Sequence, residues 1–308
     1  MLDGMNHSSD IRLARDGQVT CQNYRRLGYD RLIRGVYGRL PLEKDLDQWE
    51  TRQQAFLRRA EGIIASYQDR VILCGVTALQ VLGVQLPSQI ADWKTYHLAV
   101  RHKTIWPERR DVKPHCSQAP AIWRTIAGLP LLHPVDCWLQ LTGASDNDLI
   151  EVGDGLIRRR DPILELDALN RRLIALKGRR NVKRVRDLTQ WLEPGTDSIY
   201  ETRTRLALLR AGLPCPTVNC EVFCPRANRL YHLDMGYREE KVGIEYDGTV
   251  HVGDRRQMEI DAIRRRHLQD EGWMIITVTA SQLEQAGEFL RSVESALVMR
   301  RAARANAW

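Results

Sequence analysis

Only three residues, Arg238, Glu239 and Glu240, separate two runs of strand composition, Arg229 to Tyr237 and Lys241 to Asp247. A connector that short joins neighbouring strands antiparallel and leaves no room for a crossover. In the second run Val242, Ile244 and Tyr246 point to one face and Glu245 and Asp247 to the other, because successive side chains of a strand alternate. With the hairpin centred near Glu239 or Glu240, Asp234 falls opposite Ile244 or Glu245, and three carboxylates crowd together. Acids so placed repel one another, and a divalent cation relieves them.

The flanking sequence extends this hairpin into a module. Ser198-Ile-Tyr-Glu201 opens a helix with a capping pattern, Leu206, Leu209 and Leu213 give it an apolar face, and Gly212 and Pro214 end it. After Gly248 the chain turns, and Arg255 to Glu271 spaces Met258, Ala262 and Leu268 as a helix does. Trp273 to Thr279 is a near-continuous apolar run, as a buried strand requires. The order is helix, hairpin, helix, parallel strand, with a right-handed crossover expected.

Ahead of this module lie a short basic stretch from Ile11 to about Leu40 and a longer middle part. The first reads as two short helices followed by a small strand, with Thr20 capping the second helix, Gly28 ending it and LIRGVYGRL as the strand. In the middle, Phe56, Ala60, Ile63 and Ile64 repeat at helical spacing, VILCGV looks buried, and Pro134 sits well at a helix start. The Pro and Gly of EPGTD, Glu193 to Asp197, mark a boundary. The domains expected are 1–45, 46–193 and 198–308.

The 46 Lys and Arg exceed the 39 Asp and Glu by seven, mostly through arginine, whose planar fork suits phosphate oxygens. Runs such as Arg158-Arg159-Arg160 and KGRRNVKRVRD can track a phosphate backbone or form a solvated helix face. The seven cysteines are odd in number and scattered, which argues for reduced thiols, and Cys215, Cys220 and Cys224 lack the close pairing of a zinc site. Cys116, Cys137, His115, His133 and Asp136 likewise lack ligand spacing and read as loop and helix-end residues. No apolar run is long enough for a membrane span and residues 1–10 lack a signal core, so a cytoplasmic protein without a membrane partner is expected.

The phrase LDMGYREEKVGIEYDGTVH, followed by DAIRRRHLQDEGWMIITVT, resembles the domain of unknown function related to the very-short-patch repair endonuclease, within the PD-(D/E)XK nuclease superfamily. The likeness spans 198–279 and implies a restriction-endonuclease-like αβββαβ core with a mixed sheet. It also implies that Asp234 and Glu245 hold Mg²⁺ or Mn²⁺, which polarises the scissile phosphate and lowers the pKa of an attacking water. A lysine usually stands two residues beyond the second carboxylate; here that residue is Asp247. The repair endonuclease uses histidine instead, which nominates His251 as general base or proton shuttle. Glu201 matches an acid that some members contribute from the leading helix, and equally completes a capping box. Arg255, Arg256, Arg264 and Arg265 are the nucleic-acid-binding candidates, and Asp261, Arg264 and Arg265 can instead pair along their helix.

Residues 11–40 resemble the N-terminal winged-helix region of AbiE-type (type IV) antitoxins, in which a phrase like Arg34-Gly35-Val36-Tyr37 forms the wing. Only Tyr29 to Ile33 stand where the groove-reading helix would be, so the winged helix is degenerate. The fold class expected is therefore α/β, with this region in front of a helical, α+β middle domain. Two functions compete: a Mg²⁺-dependent endonuclease on DNA in repair, phage defence or a toxin–antitoxin system, and a non-catalytic DNA-binding regulator that keeps the nuclease fold. Both take nucleic acid as partner; a toxin or defence protein and a second copy of the chain are the other partners considered.

Overall fold

A computed structural model of the protein describes residues 11–39, 48–67, 70–100, 109–116, 121–248 and 255–306. It is a mixed α/β protein with three sheets among the described residues, and it divides into two compact units, Met1–Ser145 with Leu169–Asp187, and Asp146–Ala168 with Leu188–Trp308. No helix among the described residues is long and apolar enough to cross a membrane.

In the first unit β1 (Ile11–Leu13), β2 (Asp30–Ile33) and β3 (Val36–Gly38) form an antiparallel sheet in the order β1-β3-β2. This differs from the expected pair of helices. Ile11 and Leu13 repeat at period two, and Arg12 lies opposite Tyr37 in a ladder. The second expected helix is a run of turns over 21–28, begun where the Thr20 carbonyl accepts from the Tyr24 N–H. Val36 and Tyr37 are almost wholly buried, so the central strand is held by packing.

Helix α1 (Gln48–Tyr67) buries Phe56, Ala60, Ile63 and Ile64. Then come β4 (Val71–Leu73), α2 (Gly75–Val81), β5 (Tyr96–Val100), β6 (Val112–Cys116), β7 (Arg124–Ile126), β8 (Leu129–Leu131) and α3 (Pro134–Leu139). Their five strands make a second sheet in the order β6-β5-β4-β8-β7, so the middle of the chain is built on a sheet and is not simply helical. Pro134 starts α3, and His133 Nδ1 caps it by accepting from the Val135 N–H at 3.2 Å. Asp136 is a structural acid held by Arg172 at 2.7 Å and Arg179 at 3.3 Å.

The second unit begins with α4 (Asp146–Leu156); α5 (Leu166–Ala175) and α6 (Val182–Leu188) belong to the first unit except at Leu166–Ala168 and Leu188. Next comes α7 (Ile199–Arg210), packed on α4 through charge. Asp154, 1 % exposed, accepts from Arg205 at 2.7 Å, Thr202 at 2.8 Å and the Glu193 N–H at 2.9 Å. Beside it Glu151 takes both arms of Arg203 at 2.9 Å.

The third sheet comprises β9 (Thr217–Cys224), β10 (Arg229–Tyr237), β11 (Val242–Asp247) and, after α8 (Arg255–Asp270), β12 (Met274–Thr279). Its order is β12-β11-β10-β9, with β12 parallel to β11 and the other pairs antiparallel. Helices α9 (Ala280–Glu284) and α10 (Gly287–Ala305) follow. One face packs Met235, Tyr237, Val242, Ile244 and Val278 against Leu208 of α7 and Phe289, Val293 and Leu297 of α10. The other packs Cys220, Val222, Leu233 and Trp273 against Leu268 of α8.

Leu233 and Met235 therefore lie in different cores, although residues two apart on a regular strand share a face. The same reversal separates Val218 from Cys220, and Asn219 between them has a φ of 47°. The pleat changes phase on both strands at Asn219 and Asp234, as at a bulge. Gly236 lies opposite Gly243, and a Cβ would meet Cys220 Sγ at 2.7 Å on the first and Leu233 Cδ1 at 2.7 Å on the second. Neighbouring side chains lean across both positions, most tightly at Gly236, where the Cys220 Cβ also stands at 2.9 Å, whereas at Gly243 the ends of Leu233 and Ile275 would have to shift.

Removing one member of a buried ion pair leaves its partner charged in an apolar setting. Asp154→Ala is expected to cost about 3–5 kcal/mol, and Arg304→Ala, which breaks an exposed pair with Glu239, at most about 1 kcal/mol, measured by urea denaturation. Equal losses for the two variants would show that the burial of Asp154 has no such weight.

Candidate carboxylate site

Three elements bring acids to one end of the third sheet. The hairpin register pairs Met235 with Ile244 and Gly236 with Gly243, so the next step places Asp234 across from Glu245. Asp234 Oδ2 accepts the Tyr246 N–H at 2.8 Å, which takes the place of a ladder bond. Asp247 ends β11, is exposed, and lies in register with Thr279 of β12. A cavity of about 530 Å³ between strands and α8 is lined by Asp234, Glu245, Asp247, Asp261, Arg264 and Arg265 among others.

Glu201 arrives from the first turn of α7. Ser198 Oγ accepts from the Glu201 N–H at 3.2 Å and donates to Glu201 Oε1 at 3.0 Å, while Oε2 accepts from the Asp197 N–H at 3.0 Å. Glu201 thus reaches back one residue beyond the cap, and both its oxygens are engaged by the helix start. Its carboxyl is nevertheless pushed up to about 7, first by burial and then by the carboxylates of Asp234 and Asp197, against the Asp197 N–H and Ser198 hydroxyl. Asp234 is also raised, by burial first and by Glu245, while the Tyr246 N–H and Arg264 oppose the rise.

Asp197 is thus a member of the cluster that sequence reasoning missed. It is tied to Arg159 and, at 3.3 Å, to Arg160, and accepts the Arg160 N–H at 3.0 Å. The Asp-Ser step before the capping box is the signal that could have found it. The stack of Tyr200 on Tyr246, 4.4 Å between centroids and 5° between planes, was also missed; it joins α7 to β11 beside the acids.

Of the cationic candidates, Arg264 bonds Glu245 and donates to the His232 carbonyl at 2.6 Å. Arg265 is exposed and lines the cavity. Arg255 and Arg256 begin α8, but their side chains, and the whole of His251, lie outside the described residues. Among the described residues no three His, Cys, Asp or Glu side chains come together as a metal site. Mg²⁺ does not need such a set, since it keeps several waters and is commonly held by one or two carboxylates plus phosphate oxygens. The all-oxygen pair of Asp234 and Glu245 suits that ion and its close substitute Mn²⁺.

No family model matches the chain, and no solved structure matches it. Two curated relatives do, the uncharacterized proteins MT2308 and Rv2248 of Mycobacterium tuberculosis strains CDC 1551 / Oshkosh and H37Rv. Each is 22% identical over 109 residues, which is 35% of this chain and 40% of the relative. The matched stretch is thus well under half the length of either relative.

A glutamate that holds its proton to about pH 7 when folded, against 4.5 in the reference state, favours folding below pH 4.5. That contribution is lost as pH rises from 4.5 through 7. Glu201→Gln keeps an acceptor for Asp197 and cannot ionise. It is expected to match the wild type in stability near pH 4 and to exceed it by about 2–3 kcal/mol at pH 8, by urea denaturation. A difference independent of pH would contradict the cause assigned to the shift.

Proposed function

We propose that the second unit is a divalent-metal-dependent nuclease module of the PD-(D/E)XK type that hydrolyses phosphodiesters in DNA. The observation that carries this reading is the pairing of Asp234 with Glu245 across the hairpin, at the floor of a cavity whose helical wall presents Arg264 and Arg265. Carboxylates on a floor and guanidinium groups on a wall suit a phosphate held between a cation and arginines. Mg²⁺ or Mn²⁺ bound there would polarise the phosphate and make water a stronger nucleophile.

The chain's own residues supply the rest. Asp234 is held in place through Oδ2, which keeps Oδ1 without a protein donor among the described residues. Arg264 and Arg265 would orient the phosphate, and Arg255 and Arg256 are further nucleic-acid-binding candidates from the sequence. Water would add to phosphorus as the ester bond to the leaving sugar oxygen breaks, and the water's proton would pass to a base, for which the family resemblance nominates His251. Glu201, with both oxygens committed to the helix start, fits a positioning role better than ligation.

A specific observation favours a second reading, a DNA-binding regulator without turnover. Asp247 places an anion where the superfamily carries lysine, and Arg264 already neutralises Glu245. Such a protein would bind duplex DNA without metal, with affinity falling steeply as salt rises.

Plasmid nicking separates the two. With Mg²⁺ or Mn²⁺ the wild type is expected to nick supercoiled DNA, and Asp234→Ala or Glu245→Ala to lose at least about 100-fold in rate. Nicking that ignores the metal or both substitutions sinks the nuclease reading, and salt-sensitive duplex binding without any nicking favours the regulator.

A further inference from the structure

Arg264 is held in an unusual way for a buried-face arginine. Leu268, one helical turn later, is buried under the sheet, so the same face of α8 carries Arg264 over β10 and β11. Its Nη2 alone makes both bonds, to Glu245 and to the His232 carbonyl. Nη1 and Nε have no hydrogen-bond partner among the described residues, and the guanidinium carbon stands 6.0 Å from the Tyr231 ring. The side chain remains 28% exposed, and it lines the cavity. A guanidinium has five N–H donors and grips a carboxylate best with two nitrogens in parallel. Here one nitrogen makes both bonds, in contrast to Arg203, which takes Glu151 with both arms.

We propose that Arg264 is the resident counter-ion of Glu245 and is exchanged onto a phosphate when a divalent cation takes that carboxylate. The proposal rests on the reading of Asp234 and Glu245 as metal ligands. A cation bound to Glu245 and a guanidinium bonded to the same group would lie on the order of 5 Å apart or less, and like charges at that distance repel. The phosphate offers Arg264 a bidentate partner as it leaves. Metal and nucleic acid then bind with positive coupling, each displacing the contact that opposes the other, and the coupling is the same in both directions. The resting site is a carboxylate pair half neutralised by its own chain, which keeps it from filling with metal until substrate is present.

The test measures Mn²⁺ binding to the full chain by electron paramagnetic resonance of the free ion, at fixed ionic strength. Titrations are made with and without a short DNA duplex whose linkages resist hydrolysis. The duplex is expected to tighten Mn²⁺ binding to the wild type on the order of tenfold. Arg264→Gln is expected to bind Mn²⁺ about tenfold more tightly without DNA and to gain little from the duplex. Arg264→Lys, which keeps the charge, should stay near the wild type without DNA, and Glu245→Gln should lose the site. If Mn²⁺ binds the wild type, is lost in Glu245→Gln, and binds Arg264→Gln no more tightly than the wild type, the exchange is overturned and the metal site stands. If neither the wild type nor Arg264→Gln binds Mn²⁺ with or without the duplex, the metal site and the exchange fall together.

Discussion

The register of one hairpin fixes the chemistry available to the second unit. Its turn, Arg238 to Lys241, is closed by the Lys241 N–H on the Arg238 carbonyl at 3.4 Å, with Lys241 at a φ of 51°. Arginines of α10 hold its two acids, Arg301 on Glu240 at 2.7 Å and Arg304 on Glu239 at 3.0 Å. On the other side Lys241 Nζ donates to the Glu271 carbonyl at 2.7 Å. A slip of one residue in β11 would turn Val242 and Ile244 to the cavity and Glu245 into the core of Met235, Phe289 and Val293. The apolar packing on one face is thus what keeps the carboxylates on the other.

Holding acids together has a cost, and the structure offsets it with several different donors. Asp234 receives a backbone N–H, Glu245 a guanidinium, Glu201 the start of a helix, and Asp197 two arginines from the segment after α4. The cluster stays crowded all the same, since Glu201 and Asp234 both hold their protons more tightly than solvated carboxyls do. Burial is the larger cause in each case, so the site is acidic and only partly wet.

The hairpin could be read from the sequence, and the residue opposite Asp234 narrowed to Ile244 or Glu245, because alternation and connector length are local properties. The change of pleat at Asn219 could not, since it depends on which core each half of β9 and β10 meets. Ile11 to Leu13 reads as the start of a helix because three residues carry too little pattern to separate period two from period 3.6; only Tyr37 across the ladder decides it. The linkage of α4 to α7 was hidden for a different reason. Asp154 and Glu151 meet Arg205 and Arg203 across some fifty residues of chain, with α5 and α6 of the first unit in between, and charges at that separation leave no periodic trace. The pairing of Arg264 with Glu245 was likewise beyond reach, because an arginine on a helix facing a sheet reads the same whether it meets solvent, phosphate or acid.

Gly236 and Gly243 stand side by side, each two residues from an acid, with Leu233 and Cys220 occupying the volume that side chains would fill. Any lineage of such chains faces a steric filter at these two positions whatever the cavity beyond them does. Glycines retained there through divergence would therefore record the packing of neighbouring side chains across the sheet, whatever the cavity binds.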